Sequence, residues 1–120
     1  MIILDTSIWI DHLKSGDERA AFLLKRNQVL VHPFVIGELA LGSMPHYDLT
    51  IRSLSELPQA RVAGTREVLL LIKQHSLMAT GIGFVDAHLL ASAKLSSARL
   101  MTRDKRLARI ATALDIGTEP

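Results

Sequence analysis

The chain begins with a short apolar run, Ile2-Ile3-Leu4, that is followed at once by a carboxylate, Asp5. A fully apolar run of this length is typical of a central strand that is buried on both faces of a sheet. The next residues, Thr6 and Ser7, are of types that begin helices. Asp5 is therefore predicted to lie where a buried strand ends and a helix begins. In an α/β sheet this is the carboxyl edge, where ligand sites collect.

The rest of the chain alternates short apolar runs with longer helical patterns. Three more strands are predicted, at residues 28–31, 61–63 and 99–102, and the one at 61–63 is weak. The first helix is predicted to end at Gly16, and further helices are predicted at residues 17–26, 34–44, 47–57, 66–77, 84–95 and 104–114. Short strands that alternate with helices require right-handed crossovers and form a parallel sheet. The predicted fold class is therefore α/β.

Length and composition limit the class of protein. With 120 residues, of which 48% are hydrophobic, residues 1–120 are predicted to form one domain with its own core. No apolar run approaches the roughly 18 residues that cross a bilayer, and no secretory signal is visible, so we expect a cytoplasmic protein with no membrane partner. Cysteine is absent, which excludes disulfide scaffolds, thiolate metal sites and thiol nucleophiles.

Four acidic residues stand where an unpaired carboxylate would be costly. Asp5 follows a buried strand, Glu38 and Asp86 are embedded in apolar helical sequence, and Asp104 follows the last predicted strand. Strand ends and neighbouring helices can bring all four to one cleft. Two unit charges about 4 Å apart repel by roughly 4 kcal/mol at an effective dielectric constant near 20, so such a group requires a cation. Oxygen ligands without cysteine favour Mg²⁺ or Mn²⁺.

Each of these carboxylates also has a structural interpretation. Asp5 and Asp104 can serve as helix N-caps. Glu38 and Asp86 lie inside predicted helices, away from any cap, so their alternative is a buried pairing with an arginine. His88, two residues from Asp86, is expected to support the site or to belong to the core rather than to bind a metal.

Four segments together resemble the four motifs of the PIN-domain nucleases. They are Asp5–Ser7, Gly37–Ala40, Phe84–Ala91 and Leu100–Leu107. The resemblance covers the whole chain in order, and within the family the chain looks most like the VapC-type toxins of bacterial type II toxin–antitoxin modules. The departure is Leu107, where the family often has an aromatic residue. The resemblance implies a three-layer α/β/α fold, with a short, mostly parallel central sheet of four to five strands flanked by helices.

The resemblance further implies a Mg²⁺-dependent endoribonuclease that acts as the toxin of such a module, with Mn²⁺ as a plausible substitute. The implied metal-binding and catalytic residues are Asp5, Glu38, Asp86 and Asp104, with Asp5 and Asp86 the surest direct ligands, and the implied supporting hydroxyls are Thr6 and Thr102. A metal ion held by carboxylates can activate a water molecule and neutralise charge on the scissile phosphate. In-line attack would leave a 5′-phosphate and a 3′-hydroxyl, and no protein nucleophile is required.

The implied partners are an RNA substrate, a cognate antitoxin and a second copy of the chain. The cations near Asp104 are candidates for contacts with RNA phosphates, and a solvated helix face explains each of them equally well. These candidates are Arg103, Lys105, Arg106 and Arg109.

An apolar surface for the protein partners is expected from the helix at 66–77, together with Trp9, Phe34 and the Leu39–Leu41 region. This helix is too apolar all round to be expected on a wet surface. The alternative to an enzyme is a catalytically inactive PIN-like partner-binding module. Such a module would be expected to have lost one of the four acidic residues.

Overall fold

The structure, a computed structural model, describes residues 1–120 as four short strands and seven helices. The strands are β1 (Ile2–Leu4), β2 (Val29–Leu30), β3 (Arg99–Met101) and β4 (Gly117–Thr118). The helices are α1 (Thr6–Ser15), α2 (Glu18–Lys25), α3 (Pro33–Ala40), α4 (Tyr47–Glu56), α5 (Thr65–Gln74), α6 (Phe84–Leu95) and α7 (Lys105–Ala113).

The four strands form one sheet in the order β2-β1-β3-β4, and every pair is parallel. Strand β1 is internal, since Ile3 pairs with Leu30 of β2 and with Leu100 of β3. The side chains of Ile3 and Leu4 are completely buried, as the apolar run at the start of the chain predicts. The predicted α/β fold, with helices packed around a short parallel sheet, is confirmed.

Two features of the sheet differ from the sequence prediction. Residues 61–63 form no strand, and the nearby Gln59 instead makes one isolated parallel bridge with Val31. Strand β4 was not predicted, yet it pairs with β3 and extends the sheet by one strand. Its two residues, Gly117 and Thr118, are only partly buried. A strand this short has no detectable periodicity, and glycine disfavours a strand assignment.

Two helices also differ from expectation. Helix α3 ends at Ala40 rather than near Met44, and the hydroxyl of Tyr47 donates to the carbonyl of Ala40 at 2.9 Å, which satisfies an acceptor at the helix end. Helix α5 lies on the surface of the chain, although its composition argues against this. Its residues Leu69 and Leu70 are each 54% exposed, because only one face of the helix packs on the core.

One apolar core of 28 buried residues joins the sheet to the helices. Trp9 and Leu39 belong to this core, so the expectation that they contribute to an external apolar surface is wrong. Phe34 and Leu41 remain exposed, as that expectation requires. Leu107 is completely buried and fills its place in the core without an aromatic ring. None of the helices has the length and apolar content to cross a membrane.

His32 connects the start of α3 to α6 inside this core. Its Nδ1 accepts the backbone N–H of Phe34 at 3.0 Å, and its Nε2 lies 3.0 Å from the hydroxyl oxygen of Ser92. Because Nδ1 is an acceptor, the neutral ring carries its proton on Nε2 and donates it to Ser92. Burial, with a smaller effect from the neighbouring His88, lowers the pKa of His32 to about 4.

Acidification should therefore destabilise the fold through His32. Its pKa is about 4 in the folded chain against an ordinary value of 6.5, so the unfolded chain binds the proton first as the pH falls. Stability should be lost between these two values, by up to about 3 kcal/mol. Urea unfolding of the wild type and of His32→Asn across this pH range tests the effect, because Asn can accept the Phe34 N–H but does not titrate. An identical pH dependence in the two proteins would contradict it.

Candidate active site

Asp5 lies at the carboxyl end of β1 and is the most buried of the four acidic residues, with 8% of its surface exposed. Its Oδ1 accepts the backbone N–H of Thr6 at 2.8 Å, and its Oδ2 accepts the hydroxyl of Thr102 at 2.6 Å. Thr102 follows β3, and the backbone N–H of Asp5 donates to the carbonyl of Met101 at 2.9 Å. The site is therefore built where β1 and β3 end side by side. Asp5 is also the N-cap of α1, as its structural interpretation anticipates.

Glu38 approaches Asp5 from α3. Its Oε1 accepts the hydroxyl of Thr6 at 2.7 Å, so Thr6 contacts Asp5 through its backbone and Glu38 through its side chain. The prediction that Glu38 is buried is wrong, because its side chain is exposed. Apolar neighbours in sequence do not surround it in space, since the helical period directs Val35 and Leu39 to the core and Glu38 to the outside.

Asp104 approaches from the start of α7. Its Oδ1 accepts the backbone N–H groups of Arg106 and Leu107 at 2.9 and 3.2 Å, so Asp104 is the predicted N-cap. Its own backbone N–H donates to the hydroxyl of Thr102 at 3.1 Å. The Thr102 hydroxyl thus donates to Asp5 and accepts from Asp104, which links the two acidic residues.

Asp86 approaches from the first turn of α6. Its Oδ2 accepts the backbone N–H of Gly83 at 3.0 Å, in the manner of the acidic residue of a capping box. The prediction that Asp86 has no capping role is therefore wrong. A capping box is recognised in sequence by Ser or Thr at the N-cap, and here the N-cap residue is Gly83, which has no side chain.

The four carboxylates are close enough to affect one another. Burial raises the pKa of Asp5, and the charges of Glu38 and Asp104 add to the effect while the hydrogen bond from Thr102 opposes it. Burial also raises the pKa of Asp86, and the charges of Asp5 and Asp104 add to it. The structure therefore brings together all four acidic residues that the sequence analysis selected.

No cation of the chain neutralises this group. The only ion pairs join Arg103 to Asp11, at 2.7 Å, and to Asp17. The alternative in which Glu38 and Asp86 pair with a buried arginine is therefore wrong. Four neighbouring carboxylates without a counter-ion are the arrangement that a bound cation stabilises.

The donor atoms fit a hard divalent cation such as Mg²⁺. Glu38, Asp86 and Asp104 each use one carboxylate oxygen in hydrogen bonds within the chain, which leaves the second oxygen for another partner. No three acidic or histidine side chains converge closely enough to form a complete set of metal ligands. Mutual repulsion opposes such convergence, and the carboxylates take backbone N–H and hydroxyl groups as partners instead.

The cations near Asp104 have different surroundings. Arg103 donates to Asp17 and Asp11, and these hydrogen bonds and charges raise the pKa of its guanidinium. An RNA phosphate would have to compete with both carboxylates for Arg103. Lys105 and Arg106 are exposed and form no ion pair. The sequence could not separate these cases, because Asp11 and Asp17 are distant from Arg103 along the chain.

His88 is buried beside the site, as the sequence analysis expects for a core histidine. Its ring contacts those of Phe34 and Phe84 edge-on, with centroids 4.7 Å apart in both cases. Its Nδ1 is buried without a hydrogen-bond partner, and burial lowers its pKa. No hydrogen bond joins it to the four carboxylates. The exposed rings of Phe34 and Phe84 next to the acidic group were not recognised as a pair from the sequence.

Comparison with known proteins establishes the family. The PIN domain family model matches residues 2–113. The chain belongs to the PIN-domain family. Proteins named Ribonuclease VapC32, from two strains of Mycobacterium tuberculosis (CDC 1551 / Oshkosh and ATCC 25618 / H37Rv), are 47% identical over 108 residues, which are 89% of this chain and 87% of theirs. The predicted membership of the PIN-domain nucleases and the predicted likeness to VapC-type proteins are confirmed.

Two solved structures resemble this PIN domain along most of its length. A toxin–antitoxin complex from Klebsiella pneumoniae contains a chain with a TM-score of 0.69 and 25% identity, and the match covers 92% of each chain. FitAcB from Neisseria gonorrhoeae gives a TM-score of 0.68 at 21% identity, covering 100% of this chain and 97% of the other. The second comparison supports the fold alone.

Replacement of Asp86 by Asn should stabilise the metal-free protein near neutral pH. Burial and the charges of Asp5 and Asp104 disfavour the ionised form of Asp86 more than the hydrogen bond from Gly83 favours it. Asn removes the charge and keeps an oxygen for the Gly83 N–H. Because Asp86 is partly exposed, solvent screening should limit the gain in unfolding free energy to about 1 kcal/mol or less.

Urea unfolding in EDTA tests this sign. A carboxyl group whose folded pKa is raised is penalised when ionised, so the advantage of Asp86→Asn should shrink as the pH falls toward the ordinary value of 3.8. Asp48→Asn is the matched control, since Asp48 is an exposed acidic residue in the first turn of α4. It should not gain stability, because there the ionised carboxylate is favoured by the helix dipole. A less stable Asp86→Asn protein would contradict the account.

Proposed function

We propose that this PIN domain is a Mg²⁺-dependent endoribonuclease and the toxin component of a VapBC-type toxin–antitoxin module. The observation that carries the proposal is the group of four carboxylates, without a counter-ion, at the carboxyl ends of β1 and β3. The 47% identity to proteins named Ribonuclease VapC32 supports RNA as the substrate. The likeness to a toxin–antitoxin complex supports an antitoxin as partner.

The metal would be held by Asp5 and Asp86 directly, with Glu38 and Asp104 as ligands either directly or through water. When bound, Mg²⁺ or Mn²⁺ supplies water activation and neutralises charge that develops on the scissile phosphate. The two oxygens of Asp5 are oriented by the Thr6 N–H and the Thr102 hydroxyl. Such supporting hydrogen bonds fix the direction in which a ligand presents its lone pairs.

Thr6 and Thr102 each connect two of the acidic residues. Thr6 contacts Asp5 and Glu38, and Thr102 contacts Asp5 and Asp104. We assign the two threonines the role of holding Asp5, Glu38 and the backbone of Asp104 in fixed relative positions, through their hydroxyl groups and the Thr6 backbone N–H. No protein nucleophile is assigned, because the chain has no cysteine and His88 is buried without a contact to the acidic group.

We further propose a homodimer and an antitoxin complex in the cytoplasm. The chain offers exposed apolar side chains for such interfaces, among them Leu69 and Leu70 of α5 and Leu41, which is 91% exposed. Large apolar side chains grouped at a surface are typical of protein interfaces.

Removal of either central carboxylate should abolish RNA cleavage without unfolding the protein. Asp5→Ala and Asp86→Ala should lower the rate more than about 100-fold, because loss of a supporting residue alone typically costs 10–100-fold. Glu38→Gln and Asp104→Asn should lower the cleavage rate by smaller and unequal factors. A residue that binds the metal through water can be partly replaced by the amide. The assay is Mg²⁺-dependent cleavage of total bacterial RNA, followed by sequencing of the 5′ ends of the fragments.

Circular dichroism shows whether each variant is folded, and Asp48→Ala is the control for loss of an exposed acidic residue. Folded Asp5→Ala or Asp86→Ala protein that cleaves at the wild-type rate would show that the site is wrongly assigned. If the wild type shows no cleavage that EDTA abolishes, the alternative of an inactive PIN-like partner-binding module is correct.

A further inference from the structure

The side chain of Arg106, in the first turn of α7, packs against the loop that precedes α6. A β-carbon built on Gly81 would lie 2.6 Å from Nη1 of Arg106 and 3.3 Å from its Cδ and Cζ atoms. Gly81 also has a φ of +89°, which residues with a side chain rarely adopt. Glycine at this position therefore forms the turn and leaves space for the guanidinium group.

This contact places Arg106 between the two segments that carry Asp104 and Asp86. The backbone N–H of Arg106 donates to Asp104 at 2.9 Å. Gly83, which donates to Asp86 at 3.0 Å, belongs to the same loop as Gly81. The guanidinium group nevertheless forms no ion pair with either carboxylate. Arg106 thus contacts the loop before Asp86 while its own helix is capped by Asp104.

The other cations near Asp104 do not combine a contact with the Gly81 loop and a guanidinium group that is free of ion pairs. The guanidinium of Arg103 is occupied by Asp11 and Asp17. Arg109, one turn further along α7, donates its Nε to the carbonyl of Lys105 at 3.4 Å. Lys105 is an exposed ammonium group on a flexible stem. Arg106 is exposed like Lys105, but its guanidinium contacts the Gly81 loop and has no hydrogen-bond acceptor within the chain.

We propose that Arg106 binds a phosphate of the RNA strand adjacent to the scissile one, and that Gly81 is required to position it. This inference rests on the proposed ribonuclease function and assigns one of its substrate contacts. A guanidinium group presents two parallel N–H donors that match two phosphate oxygens. An RNA backbone that approaches four carboxylates is repelled by them, and a cation on a neighbouring segment offsets that repulsion.

The packing against Gly81 determines the kinetic signature. The contact with Gly81 limits the positions open to the guanidinium, although the side chain is exposed, and so lowers the conformational entropy that binding costs. Arg106 would make the same contact in the bound substrate and in the transition state. Its loss should therefore raise KM and leave kcat nearly unchanged.

The test compares Arg106→Gln with Arg109→Gln, which makes the same charge change on the same helix. Two quantities are measured: KM and kcat for Mg²⁺-dependent RNA cleavage, and affinity for short single-stranded RNA of random sequence in EDTA at several salt concentrations. Arg106→Gln should raise KM roughly tenfold, as expected for one charge-assisted contact. It should also make the slope of log affinity against log salt less negative by about 0.7. Arg109→Gln should change neither quantity.

Gly81→Ala tests the positioning role. It should raise KM in the wild-type background and add nothing in the Arg106→Gln background, since both changes remove the same contact. If Gly81 only shapes the loop that donates to Asp86, Gly81→Ala would lower kcat. This effect would persist when Gly81→Ala is combined with Arg106→Gln. If Gly81→Ala does not fold, Arg106→Lys gives the second measurement. The lysine keeps the charge and lacks the paired donors, so it should keep the salt slope and still raise KM.

The inference fails if Arg106→Gln leaves KM and the salt slope unchanged, or if the wild type has no salt-dependent affinity for RNA. The binding experiment requires no cleavage, so its outcome is independent of the proposed catalytic function. Conversely, wild-type cleavage that is lost in Asp86→Ala would support the ribonuclease even if Arg106 proved to have no role.

Discussion

The burial of carboxylates, together with their mutual repulsion, at one edge of the sheet is the constraint on which the rest of this structure depends. The parallel pairing of Leu4 with Met101 brings the ends of β1 and β3 together, which places Asp5 beside Thr102. The chain partly offsets the cost with backbone N–H groups at the starts of α1, α6 and α7. A charge near a helix N-terminus gains about 0.3–1 kcal/mol. The pKa values of Asp5 and Asp86 nevertheless remain raised, so these hydrogen bonds offset only part of the cost.

The chain forms no ion pair between its own cations and this group. Arg103 directly precedes Asp104 in sequence, yet its guanidinium is bound by Asp11 and Asp17, which joins the start of α2 and the first helix to the loop after β3. An arginine within the acidic group would remove the repulsion and, with it, the affinity for a divalent ion. Under the proposed function, this arrangement would exchange stability of the metal-free fold for metal binding, a common relation at functional sites.

The sequence predicted where Asp5 and Asp104 lie in the fold, because the signals for these two positions are local. A buried strand that ends at a carboxylate identified Asp5, and a helix start after a strand identified Asp104. The wrong predictions concern positions whose structure depends on tertiary contacts or on a residue that lacks a side chain. Glu38 has apolar neighbours in sequence but faces outward, Asp86 caps its helix behind a glycine, and β4 is too short to produce a pattern.

Tertiary contacts also decide which side chains are exposed, and the sequence does not show these contacts. Trp9 and Leu41 are both large apolar residues in sequence, yet one is in the core and the other is almost fully exposed. The different surroundings of Arg103 and Arg106 depend on Asp11, Asp17 and Gly81, none of which is near them along the chain. Only the assembled fold distinguishes these cases.

Calorimetric titration of Mg²⁺ into metal-free protein tests the central claim, that these carboxylates form one site for a divalent cation. The wild type and Asp48→Asn should bind the ion saturably, and Asp5→Asn should lose most of this binding because the most buried carboxylate loses its charge. Equal binding by Asp5→Asn and the wild type, or no binding by the wild type, would contradict the claim.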